Sequence, residues 1–91
     1  MEKDSFRVRA SRLFDIPQDV GGGLLHIEMT EDREVFVGNH RGILELSENL
    51  VVLSFGKNGK LRIEGANLSV SAMNSEEIRL SGKISGVSFE K

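Results

Sequence analysis

Apolar and polar residues alternate through most of this chain after residue 23. In LLHIEM, residues 24–29, Ile27 and Met29 fall on one side, and His26 and Glu28 fall on the other. A period of two is the spacing of side chains along a β-strand, whereas a helix repeats every 3.6 residues. The alternation therefore predicts an all-β body in which each strand offers one apolar face.

Turn signals recur along this body and divide it into short strands. In its second half they are Gly65-Ala66-Asn67, Asn74-Ser75-Glu76, Gly82-Lys83 and Gly86. This spacing predicts a small antiparallel meander of about seven to nine short strands. A flat sheet would leave its apolar face in water, so we expect a sandwich, a rolled sheet or a short β-solenoid. The near-repeat of GKLRIEGANLSVSAM and EEIRLSGKISGVSF hints at stacking, although its spacing is irregular.

Composition narrows the class of protein further. The 91 residues predict one domain with a thin core, because only 38% are hydrophobic and the only aromatic residues are five phenylalanines. The chain has no cysteine, which excludes disulfides and thiolate metal sites. No apolar run approaches the roughly 20 residues that cross a bilayer, and the N-terminus has no apolar signal region. We therefore expect a cytoplasmic protein.

Charge is divided unevenly between the N-terminal segment and the rest of the chain. Residues 1–14 carry four basic and two acidic residues, a sum of +2, whereas residues 15–91 carry eight basic and twelve acidic residues, a sum of −4. A nucleic-acid-binding protein needs a basic face to neutralise phosphates. The acidic body therefore argues against nucleic acid as a partner.

The N-terminal segment is amphipathic as well as basic. In DSFRVRASRLFD, residues 4–15, apolar residues recur at helical spacing, which predicts a short helix over 5–15 that ends before Pro17. Phe6, Val8 and Ala10 also alternate, so a strand stays open as an alternative for that half. The three glycines at 21–23 are typical of a hinge. We divide the chain into an arm (1–20), a hinge (21–23) and a β domain (24–91).

The arm has two interpretations. Its apolar residues could cap the open end of the sheet, which we favour, or the arm could lie on an anionic membrane or in a partner's groove. A net charge of +2 is weak for lipid binding alone. The residues that would make these contacts are Phe6, Arg7, Arg9, Arg12, Leu13 and Phe14.

The sequence predicts no catalytic residue, no metal site and no cofactor. His26 and Glu28 share a strand face, but a metal site needs at least a third ligand, and a solvated strand face is the better interpretation. There is no Gly-x-Ser-x-Gly nucleophile motif, and the acidic pairs Glu31-Asp32 and Glu76-Glu77 lie in polar turns, where we interpret them as solvated charge. We therefore expect a protein that is not an enzyme.

One polar block, Asn39-His40-Arg41-Gly42, interrupts the alternation. In a structural interpretation, Asn39 and Gly42 adopt the unusual dihedrals of a turn or bulge. In a functional one, Arg41 offers a planar donor fork to a carboxylate or phosphate, and His40 adds a proton-sensitive contact. Residue chemistry alone favours the turn.

The stretches NHRGILELS, GKLRIEGANLSVSAM and IRLSGKISGVSF, with LFDIPQDV upstream, resemble the YabP/YqfC family of sporulation proteins from endospore-forming bacteria, and in length the YqfC branch. The three glycines at 21–23 stand where that family would carry a more apolar run. The resemblance implies a non-enzymatic factor made in the mother cell, a companion of a membrane-associated sporulation protein. It also implies that Asn39, His40, Arg41 and Gly42 form a signature loop. This gives the functional interpretation of the loop more weight against the structural one.

Two functions follow as hypotheses. The first is a non-enzymatic sporulation factor that assembles with itself or with a membrane-associated partner near the forespore outer membrane, with peripheral membrane contact through the arm. Its motivation is the resemblance together with unpaired sheet edges that invite strand addition. The alternative is a small-ligand or carbohydrate-binding module that uses the Asn39–Gly42 loop, which requires a concave polar pocket beside that loop.

Overall fold

The computed structural model of the protein describes residues 23–90. They form six β-strands and no helix: β1 (His26–Thr30), β2 (Glu34–Gly38), β3 (Gly42–Leu46), β4 (Leu50–Phe55), β5 (Gly59–Met73) and β6 (Glu77–Glu90). All neighbouring strands are antiparallel, and they make one open sheet in the order β1-β2-β6-β5-β4-β3. The all-β prediction is confirmed. The predicted helix over 5–15 lies outside the described residues.

The body has six strands rather than seven to nine, because two are long. β5 has 15 residues and β6 has 14. Glycines 65, 82 and 86, which we predicted to end strands, lie inside them, and the β5–β6 pairing shifts register between Glu64 and Gly65 and again between Ala66 and Ser69. A glycine within a strand marks a bulge as readily as a turn, because both need unusual backbone geometry.

Neither a sandwich of two separate sheets nor a solenoid is confirmed. The two near-repeated stretches are β5 and β6 themselves, and they pair with each other from Lys60↔Glu90 to Met73↔Ile78. The repeated pattern therefore belongs to the two arms of one long antiparallel hairpin instead of to stacked units.

Register places the apolar residues of the sheet in four cross-strand rows. Residues paired across antiparallel strands point to the same face, so each row runs from strand to strand. The rows are Met29–Val35–Leu80–Val70, Ile27–Val37–Ile78–Met73, Leu46–Val51–Ile63–Val87 and Ile43–Leu53–Leu61–Phe89. The two middle residues of every row are fully buried. Each such side chain contributes about 1.5–3 kcal/mol to the free energy of folding.

The sheet curls so that β2 approaches the edge strand β3. Residues 39–41 alone connect β2 to β3, and four Cα–Cα steps span at most about 15 Å. In a flat sheet these two strands would be four spacings apart, about 19 Å. Bending at the β5–β6 bulges shortens that distance and brings the apolar rows of the two halves into one core.

The two halves of the sheet have the same arrangement of strands. The β2 half contains β1, β2 and residues 77–81, and the β4 half contains β3, β4 and residues 59–64. At the bend, the Gly82 and Ile84 amides donate to the β1–β2 turn, and the Gly65 and Leu68 amides donate in the same way to the β3–β4 turn. Each long strand is thus tied at its bulge to the hairpin that flanks it.

Candidate functional site

The polar block predicted from sequence is the link between the two halves of the sheet. Asn39 has a left-handed backbone (φ 67°), a conformation that asparagine tolerates better than most residues. Its side-chain Nδ2 donates to the Leu24 carbonyl at 2.8 Å. The Arg41 amide donates to the Ser54 carbonyl at 2.7 Å. These bonds hold the link against β4 and against the entry of the chain into β1.

His40 is the buried member of this link. Its amide donates to the Glu76 carbonyl at 3.2 Å, and the residue is only 3% exposed. Neither ring nitrogen makes a hydrogen bond of good geometry within the described residues. Burial lowers the pKa of His40, and the Glu77 main chain and the charges of Glu76 and Glu77 oppose that shift without cancelling it. The imidazole is therefore neutral at pH 7.

Arg41 is exposed, in contrast to His40. A Cβ built on Gly23 would lie 3.6 Å from Arg41 Nη2, so the guanidinium group lies beside the chain where it enters the body. The link therefore combines a buried neutral ring with an exposed cation. Its contacts account for a structural role, and a binding role for Asn39, His40, Arg41 and Gly42 stays a prediction.

A second candidate surface lies at the free edge of β3. Leu44 and Leu46 are 55% and 50% exposed, and β3 is the last strand of the sheet. Beside Leu46 is an apolar cleft of about 240 Å³, whose walls come from both halves of the sheet. The residues that line it are Leu46, Ser47, Glu48, Val51, Leu68, Ser69, Val70 and Leu80.

Sequence reasoning located the link but did not single out Leu44 and Leu46. Ile43 and Leu44 are adjacent apolar residues, which breaks the alternation, and the register shifts between Ile43 and Glu45. The bulge turns Leu44 out of the regular pattern on an edge strand. The adjacent apolar residues Ile43 and Leu44 at the start of the strand were the sequence signal that could have indicated this bulge and the exposed leucine.

The remaining candidates assemble no site in the described part of the chain. His26 Nε2 lies 3.3 Å from Glu28 Oε2 on the outer face of β1, and residues 23–90 contain no group of three or more His, Cys, Asp or Glu that could hold a metal. No helix within 23–90 is long and apolar enough to span a membrane. The arm residues Phe6, Arg7, Arg9, Arg12, Leu13 and Phe14 lie outside the described residues.

Comparison with known proteins identifies the family. The family model described as the YabP family matches residues 24–91, three quarters of the chain. The chain belongs to the YabP family. Membership of this family suggests a sporulation-related protein, in agreement with the resemblance read from sequence.

The alignment of this YabP family member with a relative covers more of the chain than the family model does. The uncharacterized protein YqfC of Bacillus subtilis (strain 168) is 37% identical over 87 residues, which cover 96% of this chain and 92% of the relative. Because at most four residues of this chain fall outside that alignment, it includes most of the segment before Gly23. No solved structure matches the chain.

Proposed function

We propose that this YabP family member is a non-enzymatic sporulation factor that assembles with other proteins through the free edge of β3. Its partner is a second copy or a membrane-associated sporulation protein, and assembly takes place in the mother cell at the forespore surface. Family membership supports the sporulation role. The exposed edge of β3 supports this mode of action.

The observation that carries the proposal is the apolar character of the β3 edge. An edge strand presents unpaired backbone groups, and proteins usually protect such an edge with charge, proline or a covering segment. β3 has the sequence GILEL, with a single charged residue, and two of its leucines are at least half exposed. A strand from another chain could pair with this edge and bury Leu44 and Leu46.

The small-ligand alternative receives less support. The cleft described above is lined mainly by apolar residues and includes none of the four link residues. The His40 ring is buried inside the link, where it offers no open contact to a sugar. The geometry therefore favours a protein partner at β3 over a ligand at the link.

A charged substitution at the edge tests this function. Leu44→Lys places a cation where a partner strand would bury an apolar side chain, and should weaken association by about tenfold to a hundredfold. In a sporulating strain whose only copy carries the variant, we expect fewer heat-resistant spores.

The matched control is Leu24→Lys, the same change at a leucine that is 70% exposed and lies before β1. It should leave the spore count at the level of the unmodified protein. If Leu44→Lys is folded by circular dichroism and supports normal sporulation, assembly through β3 is wrong.

A further inference from the structure

The long strand β6 has neighbours on both sides over only part of its length. β2 pairs with β6 from Ser81 to Glu77, and the β1–β2 turn accepts hydrogen bonds from the Gly82 and Ile84 amides. Beyond that turn, residues 86–90 of β6 pair with β5 alone, so no described strand covers their other side. This stretch is a free edge of the sheet, in addition to β1 and β3.

The free edge at residues 86–90 is regular and exposes a large apolar side chain. It pairs with β5 without any shift of register. The part of β5 beyond its pairing with β4 is free as well, but its register shifts between Val70 and Ala72. Because a bulge disturbs the ladder, the regular stretch of β6 is the better template for a further strand. Phe89 in this stretch is 60% exposed, although its ring contacts Phe55 edge to face at 5.7 Å.

The sequence of this edge is complementary to a second copy of itself. In an antiparallel pair of identical strands centred on Ser88, each Ser88 lies opposite the other, and Val87 of each copy lies opposite Phe89 of the other. Val87 and Phe89 end two of the apolar rows, so they share the inner face of the sheet and would cover each other. Gly86 lies opposite Glu90, so this register places no like charges directly opposite each other.

The charged residues beside this edge are balanced within one molecule. Arg62 Nη2 lies 2.9 Å from Glu64 Oε2, and Arg62 Nε lies 3.5 Å from Glu90 Oε2. Lys60 is the cross-strand partner of Glu90. These two cations and two carboxylates sum to zero charge, so a second copy meets no net repulsion from them.

We infer that two copies of this protein pair through residues 86–90 of β6, antiparallel and related by a two-fold axis at Ser88. The pairing joins β5 and β6 of one copy to β6 and β5 of the other in a continuous sheet. It gives a closed dimer instead of a fibre, because both copies use the same surface. β3 lies on the far side of β5 and β4 and stays free, so this dimer does not depend on the proposed function.

Sedimentation equilibrium of the purified full-length protein tests the dimer. The unmodified protein should change from monomer to dimer as its concentration rises. Phe89→Asp should weaken the dimer at least about hundredfold, because every contact off the axis occurs twice and each copy exchanges an apolar contact for a charge. The matched control is Met73→Asp, at an apolar residue of β5 that is 56% exposed, and it should dimerise as the unmodified protein does.

A charge swap at Ser88 tests the register without removing an apolar contact. Ser88→Glu and Ser88→Lys each place like charges opposite each other on the axis, so each variant alone should dimerise about twofold to fivefold more weakly at low ionic strength. A mixture of the two variants places opposite charges there and should form heterodimers at least as readily as the unmodified protein forms its dimer. An affinity tag on one variant retains the heterodimer.

The inference is overturned if the unmodified protein stays monomeric at every concentration, or if folded Phe89→Asp and Met73→Asp dimerise equally. It is also overturned if the two Ser88 variants associate with each other no better than each does with itself, a result that counts even where Phe89→Asp does not fold. Leu44→Lys should keep the dimer. A monomeric Leu44→Lys would mean that the copies meet at β3, against this inference, whereas normal sporulation of Leu44→Lys contradicts only the proposed function.

Discussion

His40, a single buried residue of the link, makes the stability of the fold depend on pH. Its ring is buried between β2 and β3 and lacks a well-formed hydrogen bond within the described residues, so the neutral form is favoured in the folded protein. The folded-state pKa is lowered from 6.5, whereas the unfolded chain keeps the ordinary value. Below pH 6.5 the unfolded state therefore binds more protons, and His40 lowers the stability of the fold.

This predicts a specific loss of stability in mild acid. The free energy of unfolding, measured in urea, should fall as pH decreases from 7.5 to 5, and His40→Leu should reduce that fall by removing the titrating group. If His40→Leu and the unmodified protein lose stability in parallel, the buried ring is not the source.

The sequence revealed the position of the link but not its purpose. Asn39 and Gly42 indicated unusual backbone, and the left-handed φ at Asn39 agrees with that indication. That three residues join β2 to β3, four positions away in the sheet, depends on the strand order, which no local pattern encodes. The burial of His40 follows from that order, so residue chemistry alone could not assign it.

At the scale of strands, the alternation of apolar and polar residues predicted the apolar faces, whereas the glycines did not distinguish a turn from a bulge. The apolar faces of β5 and β6 follow the predicted period, yet Gly65 and Gly82 lie inside these strands. A Cβ on Gly65 would overlap the Lys83 carbonyl oxygen, and one on Gly82 would crowd the Asn67 main chain. Their need for glycine comes from close backbone contact between two strands, which the sequence of either strand does not contain.

The bend therefore predicts a sharp difference between two glycines of the same hairpin. Gly65→Ala should destabilise the protein by about 2–4 kcal/mol, because the added methyl group displaces backbone at the bulge. Gly86→Ala should change stability by no more than about 0.5–1 kcal/mol, since its Cβ would meet only Glu64 Oε1, at 3.7 Å. Chemical denaturation measures both, and equal effects would mean that the bend is not built on Gly65.

At the scale of the whole molecule, the two near-repeated stretches form the central pair of strands, and the two halves of the sheet around them differ at their outer edges. Equivalent hairpins flank β5 and β6 and supply equivalent apolar rows. Their outer strands differ, since β1 carries a histidine–glutamate pair whereas β3 exposes leucines. Our proposal of assembly through β3 rests on this asymmetry, which could not be predicted before the strand order was known.

The most direct test of assembly through β3 is site-specific photocrosslinking in sporulating cells. A photoreactive phenylalanine analogue at Leu44 should yield a discrete adduct with a second protein chain, whereas the same analogue at Lys57, exposed in the β4–β5 turn, should not. Adducts of equal yield from both positions, or none from Leu44 in a folded and abundant protein, would contradict the account.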